Sequence, residues 1–109
     1  MSKKESNGTK NSKGGSHTGR TLIDASHGAL KGFCMGVSFY EGTDYGKPGV
    51  HTDQEGFYVL EGTGTAKVGE SEFRISPGSS FLACPGVPHT IKSDSPDSPV
   101  KVLWAHGAI

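Results

Sequence analysis

The stretch HTDQEGFYVLEG, residues 51–62, decides how the rest of the chain is interpreted. Its second half has the aromatic and β-branched residues that are typical of a strand. Its first half places His51 four residues before Glu55, where that strand would begin. Such a pair indicates either an ordinary polar turn that leads into a hairpin or one part of a metal site. The choice depends on whether other potential ligands converge on the same point.

The chain around this stretch predicts a single all-β domain. Turn signals rich in Gly, Pro and Asp recur about every eight to twelve residues, which is typical of a β-sandwich or barrel. Short runs with strand composition lie between them, at residues 33–40, 50–52, 56–60, 65–68, 72–75, 80–84, 89–92 and 100–105. In the first of these runs, Phe33, Met35, Val37 and Phe39 alternate along the chain, and we expect them to face the core. Residues 24–31 could hold one helical turn, capped by Asp24 or Ser26.

The first 20 residues differ in composition from the remainder. They are Ser, Lys, Gly, Asn and Thr with few apolar side chains, so they cannot bury enough surface to offset the entropy of ordering. They carry five cationic side chains and one acidic side chain, a net charge of +4 that leaves −4 on residues 21–109. We therefore predict a disordered basic tail at residues 1–20 and a folded domain at residues 21–109.

Composition and charge exclude several classes of protein. An acidic domain is a poor nucleic-acid binder. No stretch has the roughly 20 apolar residues needed to span a bilayer, and the N-terminal residues lack the apolar segment of a secretory signal. The cysteines, Cys34 and Cys84, form neither a disulfide framework nor a closely paired redox motif, and we expect both to be reduced and buried. These features predict a cytoplasmic protein without nucleic-acid or membrane partners.

A third potential ligand, His89, follows a Gly- and Pro-rich corner and supports the metal interpretation. With it, the sequence resembles the cupins, small β-barrels of the RmlC-like jelly-roll class. The residues that match the two cupin motifs are His51, Glu55 and Gly62 for the first, and Gly78, Gly86 and His89 for the second. The resemblance implies a single-domain double-stranded β-helix, the jelly-roll barrel, with His51, Glu55 and His89 as the metal ligands.

Three positions depart from the cupin pattern. Gly49 stands where the first motif has a histidine, Cys84 where the second has a proline, and Ser93 where the second has an asparagine. Two imidazoles and one carboxylate remain, the composition of a 2-His-1-carboxylate facial triad with open positions for water, substrate or oxygen. The implied cofactor is a divalent metal ion, Fe, Mn, Ni, Zn or Cu, and a metal-free polar pocket is the alternative.

Several other side chains are secondary candidates for this site. Asp53 is a turn residue that could replace a ligand or orient an imidazole, His106 could swing toward the barrel mouth or stay at the surface, and Cys84 could point into the pocket or pack in the core. We expect His17 and His27 to be solvated. The strand aromatics should lie in the core or in a dimer interface, and one or two should line the cavity; they are Tyr40, Phe57, Tyr58 and Trp104.

Two functions fit these observations. One is a metal-dependent enzyme, a dioxygenase, isomerase or lyase, that acts on a small organic acid, thiol or sugar; the sequence identifies no catalytic residue. The other is a non-catalytic cupin, with or without a metal, that binds or senses a small molecule. The apolar content is small for an isolated domain, which favours a homodimer.

Overall fold

The computed structural model describes residues 17–107 and shows two antiparallel β-sheets that face each other. The larger sheet has five strands in the order β1-β2-β8-β3-β6, and the smaller has three in the order β5-β4-β7. The strands are β1 His17–Ile23, β2 Cys34–Tyr40, β3 Gln54–Glu61, β4 Gly64–Val68, β5 Ser71–Ile75, β6 Ser80–Ala83, β7 His89–Ser93 and β8 Val100–Gly107. In the larger sheet, β8 pairs with both β2 and β3, so the end of the described chain closes the sheet between two early strands.

The core lies between the sheets and is built by alternation along the strands. Side chains at every second position point inward, as on any pleated strand, and those of β8 and β3 supply much of the apolar volume. The buried apolar residues are Phe57, Val59, Ala66, Ile75, Ala83, Ile91, Val100, Val102 and Trp104. The predicted all-β jelly-roll class is confirmed. No helix in residues 17–107 is long and apolar enough to cross a membrane.

The N-terminal boundary of the sheet differs from the sequence-based expectation. Strand β1 begins at His17 and pairs with β2, so residues 17–20, which we had assigned to the tail, are part of the sheet. A strand ladder is formed by backbone groups, which is why the polar composition of this segment concealed it. Residues 1–16 lie outside the described residues, and the tail there remains a prediction. The predicted helical turn is confirmed as a short 3-10 helix, Ala25–His27, whose N-cap is Asp24.

Strand β2 buries the face opposite to the one that its apolar residues predicted. Gly36 and Ser38 are buried, whereas Met35, Val37 and Phe39 are only partly buried and Phe33 is exposed. The reason is Trp104, whose indole occupies the space beside Gly36; a Cβ built on that glycine would lie only 2.4 Å from Trp104 Cζ2. The indole Nε1 donates a hydrogen bond to Ser38 Oγ at 2.9 Å, so the buried hydroxyl has a partner.

Candidate metal centre

A cavity of about 370 Å³ opens between the two sheets. The inward faces of β1, β2 and β8 form one wall, and the segment around Gly49 together with the start of β7 forms the other. Its lining is mixed, with hydroxyl groups beside aromatic rings; these side chains are Thr21, Ser38, Tyr40, Thr90 and Trp104. This volume and mixture of surfaces are typical of a site for a small organic molecule.

His51, Glu55 and His89 meet in this cavity, as the sequence predicted. Glu55 lies on β3 of the larger sheet and His89 on β7 of the smaller sheet, so the cluster joins the two layers. Glu55 Oε1 lies 3.0 Å from His51 Nε2 and 3.1 Å from His89 Nε2. One ligand atom from each residue lies within 4.8 Å of the others, which is the spacing that a single bound cation requires.

The position of His51 is set by a backbone bridge rather than by the short strand that we expected at residues 50–52. Gly49 forms an isolated antiparallel bridge with His89, and each backbone N–H donates to the other carbonyl at 2.9 Å. The two hydrogen bonds fix the main chain two residues before His51. They hold it beside the start of β7, which brings the imidazole of His51 toward that of His89, with ring centroids 5.2 Å apart.

The chemistry of this cluster fits a metal ion. Glu55 Oε1 is buried and has no hydrogen-bond partner among the described residues, although two imidazole nitrogens lie within 3.1 Å. One potential ligand atom from each of the three residues lies within 4.8 Å of the others, so these atoms surround a common point. Leaving a buried polar atom without a partner costs roughly 1–3 kcal/mol, and more when the group is charged. A cation bound at that common point would remove this cost.

The Val87 carbonyl determines which ring nitrogen of His89 faces the cluster. Its Nδ1 lies 3.2 Å from the carbonyl oxygen of Val87. A carbonyl only accepts, so Nδ1 carries the hydrogen and Nε2 faces Glu55 with its lone pair or with a second proton. Burial acts to lower the pKa of His89, but its interactions with the Glu55 carboxylate and the Val87 carbonyl outweigh burial and raise the pKa above 6.5.

We expect metal binding to weaken as the pH falls. A metal ion would bind the Nε2 lone pair of His89, so it competes with a proton for this nitrogen. Because the pKa of His89 is raised above 6.5, this competition begins at a higher pH than for an ordinary histidine. Below that pKa, the apparent dissociation constant should rise about tenfold per pH unit for each proton displaced. Calorimetric titrations between about pH 5.5 and about pH 8.5 would measure this slope. An affinity that does not change over this range would contradict the prediction.

A second group of side chains supports His51 from behind. The imidazole of His106 stacks on that of His51, with centroids 4.9 Å apart and an interplanar angle of 15°. His106 Nδ1 donates to Asp53 Oδ2 at 2.9 Å, and this hydrogen bond lowers the pKa of Asp53. The other ring nitrogen, Nε2, lies 3.3 Å from Cys34 Sγ. Burial raises the pKa of the Cys34 thiol, and the negative charges of Asp53 and Glu55 raise it further, so the thiol stays protonated and donates to His106.

The secondary candidates therefore have different outcomes. Asp53 and His106 do not belong to the cluster of potential ligands; Asp53 orients His106, and His106 lines the cavity rather than the surface. Cys84 is exposed and does not line the cavity, so neither interpretation of it, in the pocket or in the core, was correct. His27 is not solvated, because its side chain is only 14% exposed and Nδ1 accepts from the Asp24 backbone.

Cys34 is one of the cavity residues that the sequence did not predict. We expected it to be buried in the core, whereas it is partly buried in the cavity wall and directly opposite His106 in the ladder between β2 and β8. The two residues are 72 positions apart, and only the strand register places them together. Of the strand aromatics, Trp104 and Tyr40 line the cavity, Phe57 and Trp104 are in the core, and Tyr58 is exposed.

The fold and this cluster agree with the comparisons to known proteins. The family model described as "Cupin domain" matches residues 37–106, and the chain belongs to the cupin family. The sequence matches none of the curated proteins with which it was compared.

Solved structures with the same fold are similar to the chain at low sequence identity. The polyketide cyclase RemF from Streptomyces resistomycificus has a TM-score of 0.77 at 21% identity, covering 98% of this chain and 79% of that protein. An RmlC-like cupin from Shewanella frigidimarina has a TM-score of 0.72 at 16% identity, with coverages of 94% and 86%. The Fe(II) form of HppE in complex with its substrate has a TM-score of 0.76 at 18% identity, with coverages of 93% and 56%. The chain thus spans little more than half of HppE, and at these identities the similarity shows the fold alone.

Proposed function

We propose that this protein is a small metal-binding cupin that binds or acts on a small organic molecule at a divalent metal ion held by His51, Glu55 and His89. The observation that carries the proposal is the buried Glu55 Oε1, which has no hydrogen-bond partner among the described residues and faces two imidazole nitrogens within 3.1 Å. A merely polar pocket has no reason to bury a carboxylate oxygen in this way. The same three residue types form the facial triad that binds divalent metals with positions left open.

The proposal assigns a different role to each group of cavity residues. His51, Glu55 and His89 would hold the metal, which when bound would polarise an oxygen of the ligand or activate a water molecule. The Val87 carbonyl fixes the ring of His89, and His106 supports the ring of His51. Trp104 and Tyr40 supply aromatic surface in the wall, which would restrict the entry of water to the metal. The substrate would then bind between these rings and the metal.

The structural neighbours support metal chemistry in this fold but do not select a reaction. One is an Fe(II) protein in complex with its substrate, and another is a polyketide cyclase. Since the same barrel carries different activities, we propose only that an enzymatic version would be a dioxygenase, isomerase or lyase. The metal would be one of Fe, Mn, Ni, Zn and Cu, because nitrogen and oxygen donors of this kind accept all of them.

The proposal is tested by titrating the metal-free protein with each of these metals. A ligand at about 100 times its dissociation constant stabilises the native state by about 2.7 kcal/mol, so at least one metal should raise the melting temperature by about 10 °C. Oxygen uptake by the loaded protein with a panel of small acids, thiols and sugars then separates an oxygenase from the other reactions. If no metal binds or stabilises the protein, the proposed function is wrong.

We also propose that the protein forms a homodimer through the outer face of the larger sheet. Along one row of the ladder, Val37 pairs with Leu103, which pairs with Tyr58 on its other side. In the neighbouring row, Met35 and Leu82 lie on the same face. Tyr58 and Leu82 are 47% and 51% exposed, so this face leaves a contiguous apolar surface uncovered. Apolar surface of this kind typically marks a protein interface.

The Leu82→Lys and Tyr58→Lys variants are expected to be monomers. A lysine at either position would place a charge in the centre of an apolar interface, which costs several kcal/mol in the dimer but little in the exposed monomer. Light scattering after gel filtration should give twice the chain mass of 11.4 kDa for the unmodified protein and about one chain mass for the variants. Leu30→Lys is the matched control, because Leu30 is 76% exposed and lies outside this face. A monomeric unmodified protein at micromolar concentration would exclude the dimer.

A further inference from the structure

We infer that the ligand of this cavity is a small organic anion, a carboxylate in the simplest case, with one end at the metal beside Gly49 and its charge paired with Lys47. This inference rests on the proposed function, because it names the class of molecule that the metal site accepts. Three features of the described residues carry it: the open side of the metal cluster, the position of Lys47 relative to that side, and the balance of charges in the cavity wall.

Gly49 leaves one side of the candidate metal site, formed by His51, Glu55 and His89, open. A Cβ built at this position would lie 3.2 Å from His89 Nε2 and 3.8 Å from His51 Nε2, so the residue faces the potential ligand atoms directly. Any larger side chain would cover them. Because the backbone is fixed there by the bridge to His89, the space in front of Gly49 is a defined approach to the metal for an external ligand.

Lys47 lies next to this opening. Lys47, Gly49 and His51 occupy alternate positions in the chain, and all three line the cavity. Two residues of extended chain span roughly 6.6 Å, which is within reach of a lysine side chain. Within residues 17–107, Lys47 forms no ion pair, and it is exposed. Its ammonium group can therefore turn toward a ligand at the metal without breaking an existing interaction.

The charges of the cavity favour an anion over a neutral molecule. Glu55 and Lys47 are the only Asp, Glu, Lys or Arg side chains in the described wall. The charge of Glu55 would be directed at the metal, and the nearby carboxylate of Asp53 is occupied by His106. A divalent ion with one carboxylate ligand retains a formal charge of +1, and Lys47 adds another. No acidic group in this wall remains to repel an anion, whereas both positive charges attract one.

The experiment uses the full-length protein loaded with Co²⁺, whose visible absorption changes when a ligand enters the coordination sphere. Lactate and lactamide are the probes, because they have nearly the same shape and differ in charge. We expect lactate to bind at least about tenfold more tightly than lactamide, since hydrogen bonds to charged groups are worth more than neutral ones. Lys47→Gln should weaken the binding of lactate about tenfold and change the binding of lactamide less than about twofold. Lys47→Arg should keep the affinity for lactate near that of the unmodified protein.

Lys101→Gln is the matched control, since it removes the same charge from a lysine outside the cavity wall, paired with Glu61 at 3.9 Å. Its lactate affinity should not change. If lactate and lactamide bind equally, or if Lys47→Gln binds lactate as tightly as the unmodified protein, the inference is wrong while the metal site stands. If the protein does not bind Co²⁺ or any other divalent ion, the proposed function itself fails. The two failures are therefore distinguishable.

Discussion

The Glu55→Gln variant should bind divalent metals at least about 100-fold more weakly than the unmodified protein. This loss of affinity is larger than the 10- to 100-fold that typically follows removal of a residue that only hydrogen-bonds to a metal ligand. The substitution keeps the shape of the side chain but removes the charge that the metal would neutralise. Glu55 is 6% exposed, so water cannot replace the lost ligand easily. Calorimetric titration of the metal-free variant would measure the affinity.

The same substitution should not destabilise the metal-free fold. The glutamine amide can donate a hydrogen bond to an imidazole Nε2, whereas Oε1 of Glu55 has no partner among the described residues. An uncharged amide that makes a hydrogen bond avoids the cost of burying a charge. We therefore expect the free energy of unfolding without metal to stay the same or rise by about 1 kcal/mol. Thermal denaturation with and without metal would separate the two effects. A lost metal response without a loss of stability indicates that Glu55 is a ligand rather than a structural residue.

Glu61→Gln is the control for this experiment. Glu61 lies on the same strand, β3, but its side chain is 69% exposed and contacts Lys101 at 3.9 Å outside the cavity. The chemical change is identical, and an exposed ion pair of this kind contributes at most about 1 kcal/mol. Metal affinity should therefore be unchanged. If Glu61→Gln and Glu55→Gln affect metal binding equally, the assignment of Glu55 to the metal site is wrong.

The second large effect is expected for Gly49→Ala. The added methyl group would lie 3.2 Å from His89 Nε2, a closer approach than carbon atoms normally tolerate, and it would cover the open side of the metal cluster. The ring of His89 cannot move freely, because its Nδ1 donates a hydrogen bond to the Val87 carbonyl oxygen. Overpacking of this kind typically costs about 1–3 kcal/mol, so metal affinity should fall by about 5- to 140-fold.

Gly56→Ala is the matched control for this second prediction. Gly56 lies on β3, and a Cβ built there meets no heavy atom within 4 Å. Neither Gly49 nor Gly56 has a positive φ, so alanine fits the backbone at both positions. Both variants should fold, and only Gly49→Ala should lose metal affinity. Equal affinities of the two variants for metal would show that the approach to the metal is not on the side of Gly49.

The three residues at the centre of the site could be predicted because they share short sequence motifs. His51 and Glu55 lie four positions apart, and His89 follows a Gly- and Pro-rich corner that a barrel places near them. The motifs also predicted the all-β fold. They did not reveal the chain from Asp53 through His106 to Cys34, because its members are separated by 53 and 72 positions and no local pattern links them. Only the pairing of β2, β8 and β3 places these side chains at one level of the barrel.

Strand β2 shows most clearly where local pattern and structure disagree. Alternation correctly predicted that Met35, Val37 and Phe39 share one face, but their apolar character suggested that this face is buried. The structure buries Gly36 and Ser38 instead, since Trp104 needs the space above a glycine and a hydroxyl for its indole nitrogen. A strand has two faces of opposite orientation, so hydrophobicity alone predicts the wrong buried face when a bulky residue from another strand fills the core and the apolar face points outward.

The sequence by itself determined the periodic strands, the turns between them and the two histidines and the carboxylate of the candidate site, because these depend on residue type and on spacing over a few positions. The tertiary structure decided which face of each strand points inward, that β1 begins at His17, and that Cys34 and Lys47 line the same cavity as His51, Glu55 and His89. These features depend on strand register and sheet closure, which are set by contacts between distant segments. A shift of one residue in the register of any strand would leave the composition unchanged, but it would turn the side chains that now line the cavity toward the surface.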